Sequence, residues 1–294
     1  MKHPFAFGTD LWDPSHRFET SWLVSPYVLF VIRALLSLYA FTTLLFNIGY
    51  NCARPSQGGC ATSRAAFSYF TVLSYWGLAF YFLAASAHTL SYAARGRPWL
   101  DRFPRPLQAL HALFYSTATT FPFLVVVVFW ALLSSPATLA TPYSAWSNVS
   151  QHALNAAFAL VEIALPRTRP QPWAHLPFLV GLLALYLALA YLTHATKGFY
   201  TYSFLDPALQ GPLVAAYVFG IAVGICVVFA LARGLVWLRC WVTEEKLGLD
   251  GVFAHHDDGG AAAAAARVRS DEESGKPGNG DHELSEVGNG HMTV

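Results

Sequence analysis

The chain has 294 residues, of which 55% are hydrophobic and 12% are charged, and its formal net charge is +1. An ordinary soluble domain carries about a quarter charged residues, so this composition excludes a purely water-soluble protein. The nearly neutral balance gives no electrostatic footprint for nucleic acid, and we expect no nucleic-acid partner. The lipid bilayer is therefore the expected environment of most of the chain.

Six apolar runs of roughly bilayer-crossing length follow one another along the chain. They lie at 26–50, 67–92, 107–134, 149–165, 175–195 and 212–239. The fourth run is short and carries His152 and Glu162, so five spans is the alternative count. We predict an all-α fold, a polytopic membrane helix bundle of about six transmembrane helices. The predicted parts are an N-terminal segment at 1–25, a transmembrane domain at 26–242 and a tail at 243–294.

Lysines and arginines near the ends of the runs are distributed unevenly between the two sides of the six-span arrangement. One side holds only Arg54, Arg64 and Lys197, and the other basic residues near the run ends fall on the opposite side. Because cytoplasmic loops are enriched in these residues, we predict that both termini are cytoplasmic. The glycine-rich, acidic tail is predicted to be a disordered cytoplasmic extension. The endoplasmic reticulum or another endomembrane is the expected location, with the plasma membrane as an alternative.

Two cysteines bracket a short loop after the first run. Cys52 and Cys60 fall on the side predicted to be lumenal or extracellular, where disulfides form and persist. We therefore expect them to form a disulfide, with two free thiols as the alternative.

Polar side chains inside the spans are costly in hydrocarbon and often mark a site. Thr71 opens the second run, and its hydroxyl can serve either as a nucleophile or as a helix–helix hydrogen-bonding group. In the fourth run, Asn148, His152 and Asn155 recur at helical spacing and predict one polar stripe. For His152 too, a structural hydrogen bond is the alternative to a functional role.

The predicted topology brings these groups to a similar depth, because both helices enter from the same side. His194, at the end of the fifth run, and Asp206, shortly after it, fall in the same layer. A hydroxyl, an imidazole and a carboxylate are the components of a nucleophile, its base and an orienting group. The histidines and cysteines show no metal-ligand spacing, so we expect neither a metal nor another cofactor.

Four separate segments carry a resemblance to a known family. They are Phe70-Thr71, Phe121-Pro122 with the stretch from Val125 to Trp130, Trp146 with Asn148 and His152, and His194-Ala195-Thr196 with Tyr202 to Asp206. Over roughly 30–240 the chain resembles the androgen-induced and androgen-dependent membrane proteins, which include threonine hydrolases of fatty acid esters of hydroxy fatty acids. The resemblance implies that Thr71 is the nucleophile and His152 its base. Val149, Asp206 and the extra tail depart from the family pattern.

The residues and the resemblance together predict an integral membrane hydrolase of lipid esters. The expected substrate is a membrane lipid or a fatty acid ester, with Asn148, Asn155, His194 and Asp206 lining the site. A transporter or a non-catalytic membrane scaffold is the alternative. No protein partner is predicted.

Overall fold

The computed structural model describes residues 12–249 and 251. Within this part of the chain there is no β-strand and most residues are helical, which confirms the predicted all-α class. The helices are α1 (Pro26–Cys52), α2 (Gly59–Ala66), α3 (Phe70–Arg95), α4 (Arg105–Ala118), α5 (Phe121–Val128), α6 (Pro142–Val149), α7 (Asn155–Ala164), α8 (Leu176–Lys197), α9 (Pro207–Gln210) and α10 (Leu213–Cys240).

Short turns extend several of these helices. Wide π turns at Phe129–Leu133, Ser150–Leu154 and Trp241–Lys246 follow α5, α6 and α10, and Trp173–His175 leads into α8. With these turns included, five helical stretches in the described residues have the length and apolar composition of membrane spans. They are Pro26–Cys52, Phe70–Arg95, Arg105–Leu133, Trp173–Lys197 and Leu213–Lys246. These helices therefore support the prediction of an integral membrane protein.

Local sequence explains where the long helices begin and end. Ser25 caps α1 by accepting a hydrogen bond from the Val28 N–H at 3.4 Å, and Pro26 occupies the first turn, where its missing N–H costs nothing. Gly96 ends α3 in the left-handed conformation, with φ of 70°, and its N–H donates to the Tyr92 carbonyl at 2.8 Å. Glycine adopts this conformation without the steric cost of a Cβ atom.

The polar fourth run forms a continuous helical stretch from Pro142 to Ala164, through α6, a π turn and α7. Near its start, Tyr143 stacks on Tyr50 at the end of α1, with ring centroids 3.5 Å apart. At its other end, Trp22 Nε1 donates to the Ala164 carbonyl at 2.7 Å, just before α1 begins. The stretch therefore runs antiparallel to α1 along nearly its whole length. It is not one of the five stretches that are long and apolar enough to cross a membrane, so the count of six spans stays a prediction.

A buried ion pair joins α1 to α7. Arg33 makes a two-pronged contact with Glu162, from Nε to Oε2 at 3.0 Å and from Nη2 to Oε1 at 2.5 Å. Tyr81 donates to Glu162 Oε1 at 2.7 Å, and Arg33 Nη1 donates to Thr89 Oγ1 at 2.6 Å and to the Phe18 carbonyl at 2.7 Å. Buried charges are tolerated only when paired and hydrogen-bonded in this way. The pair therefore fixes α1, α3 and α7 against one another.

The residues before α1 fold back onto the end of the bundle where α7 and α10 finish. Arg17 donates two hydrogen bonds to Glu244, both at 2.9 Å, and a third to the Arg167 carbonyl at 2.9 Å. The helical stretch after α10 continues to Lys246, past the predicted domain boundary at 242/243. The prediction of a disordered tail concerns residues that lie almost entirely outside the described part of the chain.

At the opposite end, Cys52 and Cys60 are joined by a disulfide with an S–S distance of 2.09 Å. It ties the end of α1 to the start of α2. The sulfurs close a short loop with a sequence separation of 8 residues, which limits the freedom of the connection into α3. The side of the membrane on which this loop lies stays a prediction.

Candidate functional site

Thr71 lies in the first turn of α3 and lines an apolar cavity of about 180 Å³. Side chains from α3, α5, α8, α10 and the loop before α9 enclose the cavity. Its lining includes Phe70, Leu124, Val128, Phe129, Leu187, Tyr202 and Phe204. No charged side chain belongs to this lining, so Thr71 is one of very few polar groups that face an apolar space.

Tyr202 is the hydroxyl-bearing neighbour of Thr71. Burial raises the pKa of Tyr202 above its ordinary value, and the proximity of Thr71 opposes that rise. The phenol therefore stays neutral and keeps a proton to donate. Its ring is held by stacking on Phe204, with centroids 5.0 Å apart.

His152 lies in the π turn Ser150–Leu154, opposite the π turn that begins at Phe129. The imidazole stacks on the Phe129 ring with centroids 3.5 Å apart and an interplanar angle of 16°. Trp130 Nε1 donates to the His152 carbonyl at 2.8 Å, which satisfies a backbone acceptor in the widened turn. Such π turns inside helices are rare and frequently occur at functional sites.

The tautomer of His152 follows from its hydrogen bond. Its Nδ1 lies 3.0 Å from the carbonyl oxygen of Asn148, and a carbonyl can only accept. Nδ1 therefore carries the proton in the neutral ring, and Nε2 keeps a lone pair. A histidine held in this way has the nitrogen that a general base needs.

Thr71 lines the cavity, whereas His152 stacks on Phe129, another residue of the lining. No hydrogen bond joins them among the interactions of the described residues, and Phe129 belongs to the cavity lining whereas His152 does not. Phe129 is therefore a residue that contacts the imidazole and also belongs to the cavity lining. In this arrangement Nε2 and the threonine hydroxyl are not hydrogen-bonded to each other.

The four other predicted site residues have local structural partners. Asn148 Nδ2 donates to the Thr138 and Ser144 carbonyls, both at 2.9 Å, and Asn155 Oδ1 accepts from the Ala156 N–H at 2.7 Å. His194 stacks on Tyr200 at 3.8 Å, and Asp206 caps α9 by accepting from the Ala208 N–H at 2.8 Å. None of these four residues lines the cavity at Thr71.

Two aromatic residues of this cavity carry no predicted role: Tyr202 lies in one of the four family segments, and Tyr186 lies in α8. Tyr186 donates to the Ser68 carbonyl at 3.1 Å and to Thr201 Oγ1 at 3.3 Å, and it lines the cavity. The dense aromatic stretch after α8 was the available signal, because such residues pack back onto the bundle. Within the described residues, no group of three or more His, Cys, Asp or Glu side chains could hold a metal ion.

A comparison with protein families complements this geometry. The family model described as FAR-17a/AIG1-like protein matches residues 29–236, more than two thirds of the chain. No curated protein and no solved structure matches. The matched region includes α3, the cavity and both π turns around His152. The chain therefore belongs to the FAR-17a/AIG1-like protein family.

Proposed function

We propose that this protein is an integral membrane hydrolase of lipid esters in which Thr71 is the nucleophile and His152 its base. The observation that supports this proposal best is the position of the Thr71 hydroxyl. Thr71 lines an apolar cavity together with Tyr202, whose hydroxyl is neutral, and the candidate base stacks on Phe129 of the same lining. A hydroxyl, a base and a hydrogen-bond donor around one space are the requirements of acyl transfer.

In the proposed reaction, His152 Nε2 takes the proton from Thr71 Oγ1 as this oxygen attacks the ester carbonyl. The bond between the carbonyl carbon and the alcohol oxygen then breaks, and the alcohol leaves with the proton from the imidazolium. This step produces an acyl-threonine. Water attacks the acyl group with His152 again as base, which releases the fatty acid and restores Thr71.

Phe129 controls the approach of the base in this proposal. Catalytic contacts are often long before substrate binds and tighten only in the reacting complex. An ester that enters the cavity would push against Phe129, one of its walls, and so open a path between Thr71 and His152. Tyr202 would then donate to the threonine oxygen or to the oxyanion that forms on the carbonyl.

The cavity composition favours a lipid ester over other acyl compounds. Its walls are almost entirely hydrocarbon and aromatic, and the surrounding helices are candidate membrane spans. Fatty acid esters of hydroxy fatty acids, or related lipids, have the chemistry that suits such a space. A transporter is less well supported, because the cavity lacks charged lining residues and the Arg33–Glu162 pair is fully engaged in hydrogen bonds.

The test is ester cleavage by the purified protein in detergent, measured on a branched fatty acid ester. Thr71→Ala should lower kcat by about 10³-fold or more, because it removes the nucleophile. His152→Ala should lower kcat by about 10² to 10⁴-fold, the usual contribution of a general base. The double variant should be little worse than either single variant, since the two groups act as one unit.

Two further variants control for the fold. Thr71→Ser keeps the nucleophilic oxygen and should retain measurable activity. Thr196→Ala removes an exposed threonine hydroxyl at the end of α8, where it bonds only the Leu192 carbonyl at 2.7 Å, and should behave as the wild type. Full activity in a Thr71→Ala protein with wild-type thermal unfolding would disprove the nucleophile assignment.

A further inference from the structure

A second apolar space shares Phe70 with the cavity at Thr71. This groove has a volume of about 1060 Å³ and is bordered by α3, α4, α5 and α8. Its walls include Leu73, Gly77, Phe114, Pro177 and Gly181. The helices that border it belong to stretches long and apolar enough to cross a membrane, so the groove opens towards lipid.

The groove and the cavity share part of their walls. Phe70, Ala184 and Tyr186 line both spaces. The Phe70 ring packs edge-to-face against Phe121, with centroids 5.2 Å apart, and against Tyr186 at 5.1 Å. Aromatic side chains thus form the partition, and Phe70 immediately precedes Thr71 in the first turn of α3. A molecule that passes Phe70 from the groove arrives beside the Thr71 hydroxyl.

The chemistry of the groove suits a hydrocarbon chain. No charged side chain lines it, and the hydroxyls of Ser74 and Thr117 are bonded to the Thr71 and Phe114 carbonyls at 3.1 and 2.7 Å. The groove thus offers almost no free polar group for recognition. Its volume also matches the upper range of about 300 to 1,000 Å³ that small-molecule sites occupy, whereas the cavity alone is smaller.

We infer that the groove binds a long hydrocarbon chain of the ester substrate and delivers the ester group past Phe70 to Thr71. This inference rests on the proposed hydrolase function and adds to it a chain-length specificity. The smaller cavity would then hold only the reacting ester and the carbons next to it. Long-chain esters should gain affinity from the groove, and short-chain esters should not.

Two glycines in the long helices allow this inference to be tested, because a larger side chain can be added at each of them. A Cβ atom built on Gly181, which lines the groove, meets no neighbouring atom within 4 Å, so a side chain added there begins in open space. Gly220 on α10 is equally unobstructed but lines neither space. Gly181→Leu and Gly220→Leu therefore add the same side chain to a membrane helix, inside and outside the groove.

The measurement is the ratio of kcat/KM for p-nitrophenyl palmitate and p-nitrophenyl butyrate, with purified protein in detergent. Gly181→Leu should lower this ratio by about tenfold or more, because a hydrophobic pocket discriminates by at least that much when hydrocarbon no longer fits. Gly220→Leu should leave the ratio at its wild-type value. A Gly181→Leu protein with the wild-type ratio, or with equal losses on both esters, would overturn the inference.

A second measurement does not depend on turnover. A palmitoyl ester with a photoactivatable group on its chain should cross-link Thr71→Ala protein at groove residues such as Leu73 or Phe114, and Gly181→Leu should reduce this labelling. Cross-links spread evenly over lipid-facing residues would indicate bulk lipid only and overturn the inference. Butyrate cleavage that persists in Thr71→Ala would instead refute the proposed nucleophile, whatever the groove variants do.

Discussion

At the scale of single residues, the candidate site is a threonine hydroxyl whose surroundings are set by aromatic side chains. Tyr202 provides a neutral hydroxyl next to Thr71, and Phe129 lines the same cavity and stacks on His152. An unaided threonine hydroxyl is a weak nucleophile at neutral pH, so the proposed reaction depends on His152 as the base and on Tyr202 as the hydrogen-bond donor. Tyr202 is the less expected of the two, because it comes from the loop after α8.

Tyr202→Phe tests the contribution of that hydroxyl. The phenylalanine keeps the ring that stacks on Phe204 but removes the donor next to Thr71. We expect kcat for ester cleavage to fall by about 10²-fold, the usual cost of losing one oxyanion donor, with little change in KM. Tyr217→Phe is the matched control, since Tyr217 also packs on Phe204 but does not line the cavity. A kcat unchanged by Tyr202→Phe would exclude the phenol from the reaction.

The sequence predicted part of this arrangement. That Thr71 and His152 meet in one layer stays a prediction: Thr71 lines the cavity, and His152 stacks on Phe129 of its lining. The π turn at His152 was not foreseen, because hydropathy and helical spacing assume a regular helix. The contact between Phe129 and His152 could not be predicted either, since no sequence spacing relates residues on different helices. Asn148 and Asn155 were predicted to line the site and instead bond to backbone groups nearby.

At the scale of helices, the polar face of the stretch from Pro142 to Ala164 is explained by its neighbours. Glu162 pairs with Arg33 on α1, and Ser150 shares a 2.8 Å hydrogen bond with Tyr39 on the same helix. The sequence indicated that this face looks into the bundle, as hydrocarbon would not tolerate it. It did not indicate the partner, because Arg33 and Glu162 are far apart in sequence and meet only through tertiary packing.

Breaking the Arg33–Glu162 pair should destabilise the fold. Glu162→Gln leaves a buried guanidinium without its counter-charge, and we expect a loss of about 3–5 kcal/mol in the free energy of unfolding. Replacing both residues by methionine should recover part of that loss, because no charge then remains buried. Denaturant unfolding of the purified protein measures both effects.

The control for this pair is Glu245→Gln, at an exposed position in the last helical turn, which should change stability by no more than about 0.5 kcal/mol. An unfolding free energy for Glu162→Gln equal to that of the wild type would show that the ion pair does not hold α1 and α7 together.

At the scale of the whole molecule, one end of the bundle gathers residues from before α1, after α7 and after α10. Arg17 contacts both the Arg167 carbonyl and Glu244 there, whereas the Cys52–Cys60 disulfide lies at the other end of α1. The cytoplasmic location of both termini stays a prediction from the uneven distribution of basic residues. Packing alone does not determine which end of the bundle faces the cytoplasm, because that orientation depends on the distribution of basic residues.

Tag accessibility in selectively permeabilised cells tests this topology. Tags at either terminus should be accessible when only the plasma membrane is permeabilised. A tag next to Ser56, in the exposed loop closed by the disulfide, should stay protected until the lumenal compartment is opened. Opposite protection of the two termini would rule out an even number of spans.

The central claim, that Thr71 is the nucleophile of an ester hydrolase, is tested most directly by covalent labelling. A fluorophosphonate probe reacts with activated hydroxyl groups, so wild-type protein should be labelled and mass spectrometry should locate the adduct on Thr71. His152→Ala should greatly slow the labelling, and Thr71→Ala should abolish it. Equal labelling of wild type and Thr71→Ala, or an adduct on another residue, would contradict the claim.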